Sequence, residues 1–407
     1  MVNESVLMCE RKLVQVLSLL VAFALIALSC GEDGADRRAP SAPENSPEIQ
    51  LEAVATGLEI PWAMAFAPDG RFFVTERPGR IRVVDADGLR PEPWAELDVV
   101  PPDYRTEGGL LGIALAPDFE TTGHVFVVGT FLNDGRLANR VLRFTDRDGQ
   151  GADRTVVIEG LPEIQAEPGS EPAIHTHLGG GLAFGPDGML YVTTGDATRP
   201  ELAQDPNDLA GKILRYRPDG SVPADNPTPG SPVYAMGLRN PQGLTWHPET
   251  GDLFVTDHGP SELSWETNYG GWFGDELNAV VAGANYGWPR VVGMGPLGRY
   301  VDPLVEWSPS IAPASVAVYS GSRFPWQRDI LVASLRGQRL WRITLERNET
   351  LPTGWKAVRR EGLMEGRIGR IRVVTMGLDG HLYIASSNRD SRGKPRMDDD
   401  CIYRVTP

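Results

Sequence analysis

Cysteine is nearly absent from this chain: Cys9, Cys30 and Cys401 are the three in 407 residues. No disulfide framework can brace the fold, so stability has to come from a large core. Positive charge is also scarce, with 39 Lys and Arg against 54 Asp and Glu and a formal net charge of −15. That balance argues against nucleic acid as a partner, because phosphates need clustered cations. No CxxC or HExxH run occurs, so neither a zinc nor an iron–sulfur site is indicated. Long apolar runs are missing too, except for one near the start.

That run, "LVQVLSLLVAFALIAL", follows Arg11 and Lys12 and ends at "SCGEDG". It is short for a membrane span, which takes about 20 residues, and fits the apolar region of an export signal. Cys30, after a small residue, resembles a bacterial lipobox cysteine. The expectation is an exported protein, periplasmic or at the cell surface, lipid-anchored at Cys30, with plain secretion or an uncleaved helix anchor as alternatives. Cys9 would then leave with the signal. Residues 31–50 are polar and Pro-rich and read as a flexible tether. The 46 glycines and 34 prolines lie scattered among apolar runs, as turns do.

One hairpin recurs six times. "AFAPDGRFFVTE", "ALAPDFETTGHVFVVGT", "AFGPDGMLYVTTGD" and "TWHPETGDLFVTDHG" are followed by the weaker "RFPWQRDILVASL" and by "TMGLDGHLYIASS". Each is an apolar run, a turn and an alternating run. A second run such as "GRIRVVD" or "GKILRYR" often follows, with no helical periodicity between copies. Repeated antiparallel four-strand units predict an all-β, six-bladed β-propeller over residues 51–407, at about sixty residues a blade.

Propeller loops converge at one end, so chemistry is to be sought in loops before and after the hairpins. Glu107 precedes the second; His175 and His177 precede the third, and Asp196 follows it. Arg239, Asn240 and Gln242 precede the fourth, and Arg370 and Arg372 the sixth. Singly, each has an ordinary reading: a loop hydrogen-bonder, a turn cap or a solvated strand edge. "GGLLG" and "LGGGL" precede strands, so they are not dinucleotide fingerprints. Together, several arginines brought to one channel mouth would hold a polyanion, and a histidine beside a carboxylate is prepared as a general base.

The chain resembles the soluble quinoprotein sugar dehydrogenases, the glucose/sorbosone dehydrogenase family. The likeness rests on "GLEIPWAMAFAPDGRFFVTERPGRI", "EGGLLGIALAPDF", "HLGGGLAFGPDGMLYVTTGD", "GLRNPQGL", "GPSELSWETNYGGWFGDELNAVVAGANYGWP", "SPSIAPAS" and "ASLRGQRLWRI", in that order. The resemblance implies pyrroloquinoline quinone (PQQ) and Ca2+ as cofactors. It implies hydride transfer from C1 of an aldose to the quinone, giving a lactone, with an electron acceptor that the sequence does not name. His177 would be the base, Asp196 its orienting partner, and Arg239 the cation beside the quinone carbonyl. Asn240, Gln242, Ser310, Arg336, Arg370 and Arg372 would hold the cofactor. Gly259 and Pro260 would offer carbonyls to calcium, a hard cation that takes oxygen ligands. Glu107 and Thr176 would face the sugar, and the glycines before the third hairpin would let backbone approach a flat cofactor.

Some positions depart from the pattern. Gly181 stands where many relatives have arginine, and Arg336 replaces a lysine. Thr176, Glu107 and Ser308 stand where the glucose enzyme has aspartate, glutamine and tryptophan. With the sugar-contacting set changed, a broad aldose specificity is expected. Residues 261–273 carry Trp265, Tyr269, Trp272 and Phe273, either as a sugar-stacking rim or packed on one another. Two other classes compete: a calcium-dependent lactonase, which would have no use for an arginine cluster, and a carbohydrate-binding propeller without redox activity, which would not need His177 paired with Asp196.

Overall fold

The computed structural model describes residues 48–102, 106–133, 136–165, 176–260, 274–295 and 298–407. The signal, Cys30, the tether, His175 and the aromatic segment 261–273 lie outside them. The architecture is the expected one: six antiparallel sheets, four of them four-stranded and two with an extra short strand. Among the described residues, helix is confined to Phe119–Thr122 and a 3-10 turn at Pro200–Gln204.

The sheets form a closed ring. Their innermost strands, Pro61–Phe66, Leu110–Leu115, Leu182–Phe184, Pro241–Trp246, Pro313–Val318 and Ile371–Met376, touch in succession, and the last meets the first. The ring is locked by the strand Gln50–Ala55, which pairs antiparallel with the C-terminal strand Ile402–Thr406. The start of the propeller thus completes its last blade, joining the two ends of the ring.

Second strands such as "FFVTE", "LYVTT", "LFVTD", "ILVAS" and "LYIAS" are buried along their whole length. Each sits in a sheet covered on both faces by its neighbours, so both faces must be apolar. The core accordingly lies between blades. Phe73, Ile81 and Val83 of the first pack on Leu110, Val125 and Val127 of the second, and Phe254 and Leu277 of the fourth pack on Val316 and Ile330 of the fifth.

At the hub, backbone meets backbone. A Cβ on Gly112 would stand 2.4 Å from the Gly180 carbonyl oxygen, one on Gly181 2.4 Å from that of Gln242, and one on Gly243 2.6 Å from that of Ala314. At the first approach the Gly112 N–H donates directly to the Gly180 carbonyl (3.0 Å); a threonine ties the other two, and a third threonine joins the first blade to the second. The Thr193 hydroxyl accepts from the Gly181 N–H (2.8 Å) and donates to the Pro241 carbonyl of the next blade (2.8 Å). Thr256 does the same between Gly243 and Ala314, and Thr75 between Ala63 and Leu111.

Gly179 and Gly180 adopt φ of +64° and +99°, and their missing side chains make room for Thr193, Gly195 and Leu111. Gly180 and Gly181 serve the contact between blades, where a side chain on Gly181 would strike the Gln242 carbonyl, whereas Gly179 lines a recess at one end of the ring with Gln242 and His258.

Replacing Thr193 by valine keeps the shape but leaves a buried N–H and a buried carbonyl without partners. Chemical denaturation should show a loss of about 2–4 kcal/mol, with Thr193→Ser close to wild type. Equal stability of all three would dismiss the tie.

Candidate active site

The loops at one end of the ring bring most of the expected residues together. His177 has φ +59°, and its backbone carbonyl packs against Gly195, where a Cβ would strike it. Its Nδ1 lies 2.7 Å from Oδ1 of Asp196. Asp196 is fully buried. Burial alone would raise its pKa, but His177, Arg239 and the Trp288 indole N–H hold it below the ordinary range. An ionised carboxylate only accepts, so Nδ1 carries the proton and Nε2 is the nitrogen left to exchange one.

Glu107 closes the other side. Its Oε2 accepts the His177 backbone N–H (3.0 Å) and the Asn240 side-chain amide (3.1 Å), and its Oε1 pairs with Arg392 (3.1 Å). Burial would raise the Glu107 carboxyl, yet the positive charge of Arg392 and the hydrogen bond from the His177 backbone N–H help to pull it below the ordinary range. With three protein donors already engaged, Glu107 has only its remaining lone pairs for a sugar hydroxyl. Thr176, half-buried, directly precedes His177.

A recess opens beside this group, lined by Trp62, Glu107, Gln242, His258, Arg370 and Arg372. Arg370 is paired with Asp390 (2.6 Å). Among the described residues Arg372 makes no ion pair: its guanidinium stacks over Trp62 at 4.2 Å and donates to Gln242 Oε1 at 2.8 Å. Burial first, then repulsion from Arg77, pulls its pKa down to about 9, against the attraction of Asp390 and Glu107. His258, pushed down to about 4 mainly by burial, is also repelled by Arg372 and Arg239 and stays neutral. Arg239, 5% exposed, donates to the His258 carbonyl (3.2 Å) and lies 5.6 Å over the Trp288 ring. Neither Arg370 nor Arg372 is the solvated strand edge that its sequence position alone would suggest.

Buried carboxylates hold these loops. Asp257 accepts the backbone N–H groups of Arg239 (2.9 Å) and Asn240 (2.6 Å). Asp275 accepts those of Gly259 (2.9 Å), Ile311 (2.6 Å) and Ala312 (2.8 Å), and the Ser310 hydroxyl (2.7 Å). Gly259 and Pro260 are buried and end the described segment before residue 261. Ser310 and Arg336 are not in the recess. They line a separate cleft of about 620 Å³ with Trp307, Trp341 and Arg360, although Leu335, next to Arg336, lines the recess. Sequence reasoning missed Arg77, Asp257, His258, Asp275, Trp288 and Arg392. Trp288, in "ANYGWP", and His258, beside Gly259, at least lay within or against a recognised motif.

The glucose/sorbosone dehydrogenase family profile matches residues 58–394. The chain is similar to the aldose sugar dehydrogenase YliI of Escherichia coli, 29% identical, covering 83% of this chain and 89% of that one. Against the quinoprotein glucose dehydrogenase B of Acinetobacter calcoaceticus the identity is 30%, over 70% of this chain and 61% of that one. The PQQ-bound aldose sugar dehydrogenase of Streptomyces coelicolor superposes with a TM-score of 0.73 at 35% identity, covering 89% of this chain and 99% of that one. The chain belongs to the glucose/sorbosone dehydrogenase family and is an oxidoreductase of the sugar-dehydrogenase kind.

Proposed function

We propose that the chain oxidises the C1 hydroxyl of aldose sugars to the lactone, across a broad range of sugars, with PQQ and Ca2+ bound at the recess. The observation that carries this reading is Arg372, 9% exposed and without an ion-pair partner among the described residues. A buried guanidinium next to further cations is costly unless an anion answers it. The donor set fits a polycarboxylate: Arg372 and Arg370 offer planar forks for carboxylates, and Gln242 and Asn240 offer amides. The carbonyls of Gly259 and Pro260 are oxygen donors of the type calcium takes. Among the described residues no cluster of three His, Cys, Asp or Glu side chains gathers to offer another metal site.

When bound, PQQ supplies a hydride acceptor, and calcium a Lewis acid beside it. The chain's own residues then do the rest. His177 takes the hydroxyl proton at Nε2, and Asp196 stabilises the imidazolium that forms. Arg239 places a fixed positive charge where negative charge develops, in a site of low dielectric that strengthens it. Glu107 holds the His177 backbone and the Asn240 amide in place. We also propose export with a lipid anchor at Cys30, a small-molecule sugar as substrate and a separate electron acceptor, with neither nucleic acid nor any other membrane contact.

Apo-protein titrated with PQQ and Ca2+ should bind saturably and then reduce an artificial dye with several aldoses. Lactone hydrolysis without quinone would favour the hydrolase reading, and sugar binding without turnover the receptor reading. Arg372→Met should weaken quinone binding about tenfold to a hundredfold, the worth of a charge-assisted contact; unchanged affinity would remove the central support. His177→Ala is expected to abolish turnover with the quinone still bound, and retained turnover refutes its role as base.

A further inference from the structure

Asp196 has two oxygens to satisfy and no access to water. Oδ1 takes the His177 ring at 2.7 Å and the Thr198 backbone N–H at 2.9 Å. Oδ2 takes the indole N–H of Trp288 at 2.8 Å, from 92 residues away in sequence. Without that N–H, Oδ2 would be a fully buried carboxylate oxygen with no donor, which is expensive. The carboxylate would then be free to rotate toward other donors, and the His177 ring would lose its fixed partner.

Trp288 is itself held on both sides. Its backbone N–H donates to the Gly237 carbonyl at 3.0 Å. Its carbonyl accepts the Gln204 amide at 2.6 Å, and Gln204 is tied to Asn285 in turn. The Arg239 guanidinium lies over the face of the same ring. A cation on the face polarises the indole and makes its edge N–H a better donor. One ring therefore touches the carboxylate behind the base with its edge and the arginine of the site with its face.

We propose that Trp288 is a positioning residue for the oxidation: its N–H locks the Asp196 carboxylate so that the other oxygen stays on Nδ1 of His177, and its face sets Arg239. The role of this lock in turnover rests on the function proposed above, whereas the lock itself can be read without cofactor. The charged groups facing Asp196 are His177 from the loop before the third blade, Arg239 from the loop before the fourth, and Asp257 at the end of that blade's second strand. None of these is altered by the variant.

The test is Trp288→Phe in the full chain, which deletes the N–H and keeps a ring beneath Arg239. In protein loaded with PQQ and Ca2+, the acid limb of the kcat profile should move down by about half to one pH unit, since a carboxylate that has turned away no longer stabilises the imidazolium. Turnover near neutral pH should fall about tenfold, with KM little changed. In apo-protein, the downfield proton-NMR signal of the His177 Nδ1–H, assigned by its loss in His177→Ala, should broaden or vanish through faster exchange. In an Asp196→Asn background, Trp288→Phe should add nothing further. A signal and an acid limb that both match wild type would overturn the proposal and leave Trp288 a packing residue. Should Trp288→Phe fail to fold, Gln204→Leu keeps the indole but frees its backbone. The same displacement, smaller, is expected there, and its absence counts against the lock. If wild type turns over no aldose, the function fails while the NMR comparison still decides the lock.

Discussion

Everything in this molecule depends on how closely six inner strands approach one another around the axis. Where a side chain would collide, glycine stands, as at Gly112, Gly181 and Gly243. Where two polar backbones face each other without water, a threonine hydroxyl accepts from one and donates to the next, as Thr75, Thr193 and Thr256 do. A buried N–H or carbonyl has to be paired, and one hydroxyl settles both sides at once. The narrow hub then dictates function, because loops leaving so tight a ring at one end must meet. Glu107 and Arg392, 285 residues apart, are in contact for that reason.

Convergence alone would not aim the side chains. The loops leave the sheets with unpaired N–H groups, and buried acids at strand ends receive them. Asp257 holds the backbone of Arg239 and Asn240; Asp275 holds Gly259 together with the turn at Ser310. Asp400 receives the N–H groups of Ile60 and Asn388, and Asn388 in turn receives that of Arg370. Burial pushes Asp257 up to about 7 and Asp400 up to about 6, and the backbone donors act in the opposite direction. These acids position the recess from behind without entering it, so the loops are rigid where the side chains must be accurate.

The blades were legible because their signals are local: a Pro-Asp-Gly turn between two apolar runs needs no distant partner. The ring closure was not, because "QLEAVA" is a short, largely exposed strand whose partner lies some 350 residues on. The supporting acids were invisible for a related reason. Asp257 ends "LFVTD" and Asp275 opens "DELNAV", and nothing in either run separates a buried acceptor from a solvated strand end. The glycines of "HLGGGL" were legible as places of close backbone approach, and they serve two approaches at once: Gly180 and Gly181 meet the neighbouring blades, while Gly179 lines the recess. Ser310 and Arg336 show the limit of transferring roles by motif, since a loop can keep its residues while Ser310 turns its hydroxyl to Asp275 and Arg336 lines the neighbouring cleft.

Charge at two length scales explains why the recess can be selective. The chain as a whole carries −15, so an anion far away meets repulsion. At physiological salt that field fades over about 8 Å. Within contact range the local balance reverses, because Arg370 is paired with Asp390 and Arg392 with Glu107, whereas among the described residues Arg372 touches a neutral amide and an aromatic face and feels those two carboxylates without pairing with either. An anion thus gains nothing from long-range steering and gains strongly once its carboxylates reach the guanidinium groups. Small mobile anions satisfy one cation poorly, and a rigid polyanion satisfies several together. Selection by fit follows from placing the cations deep inside an acidic surface.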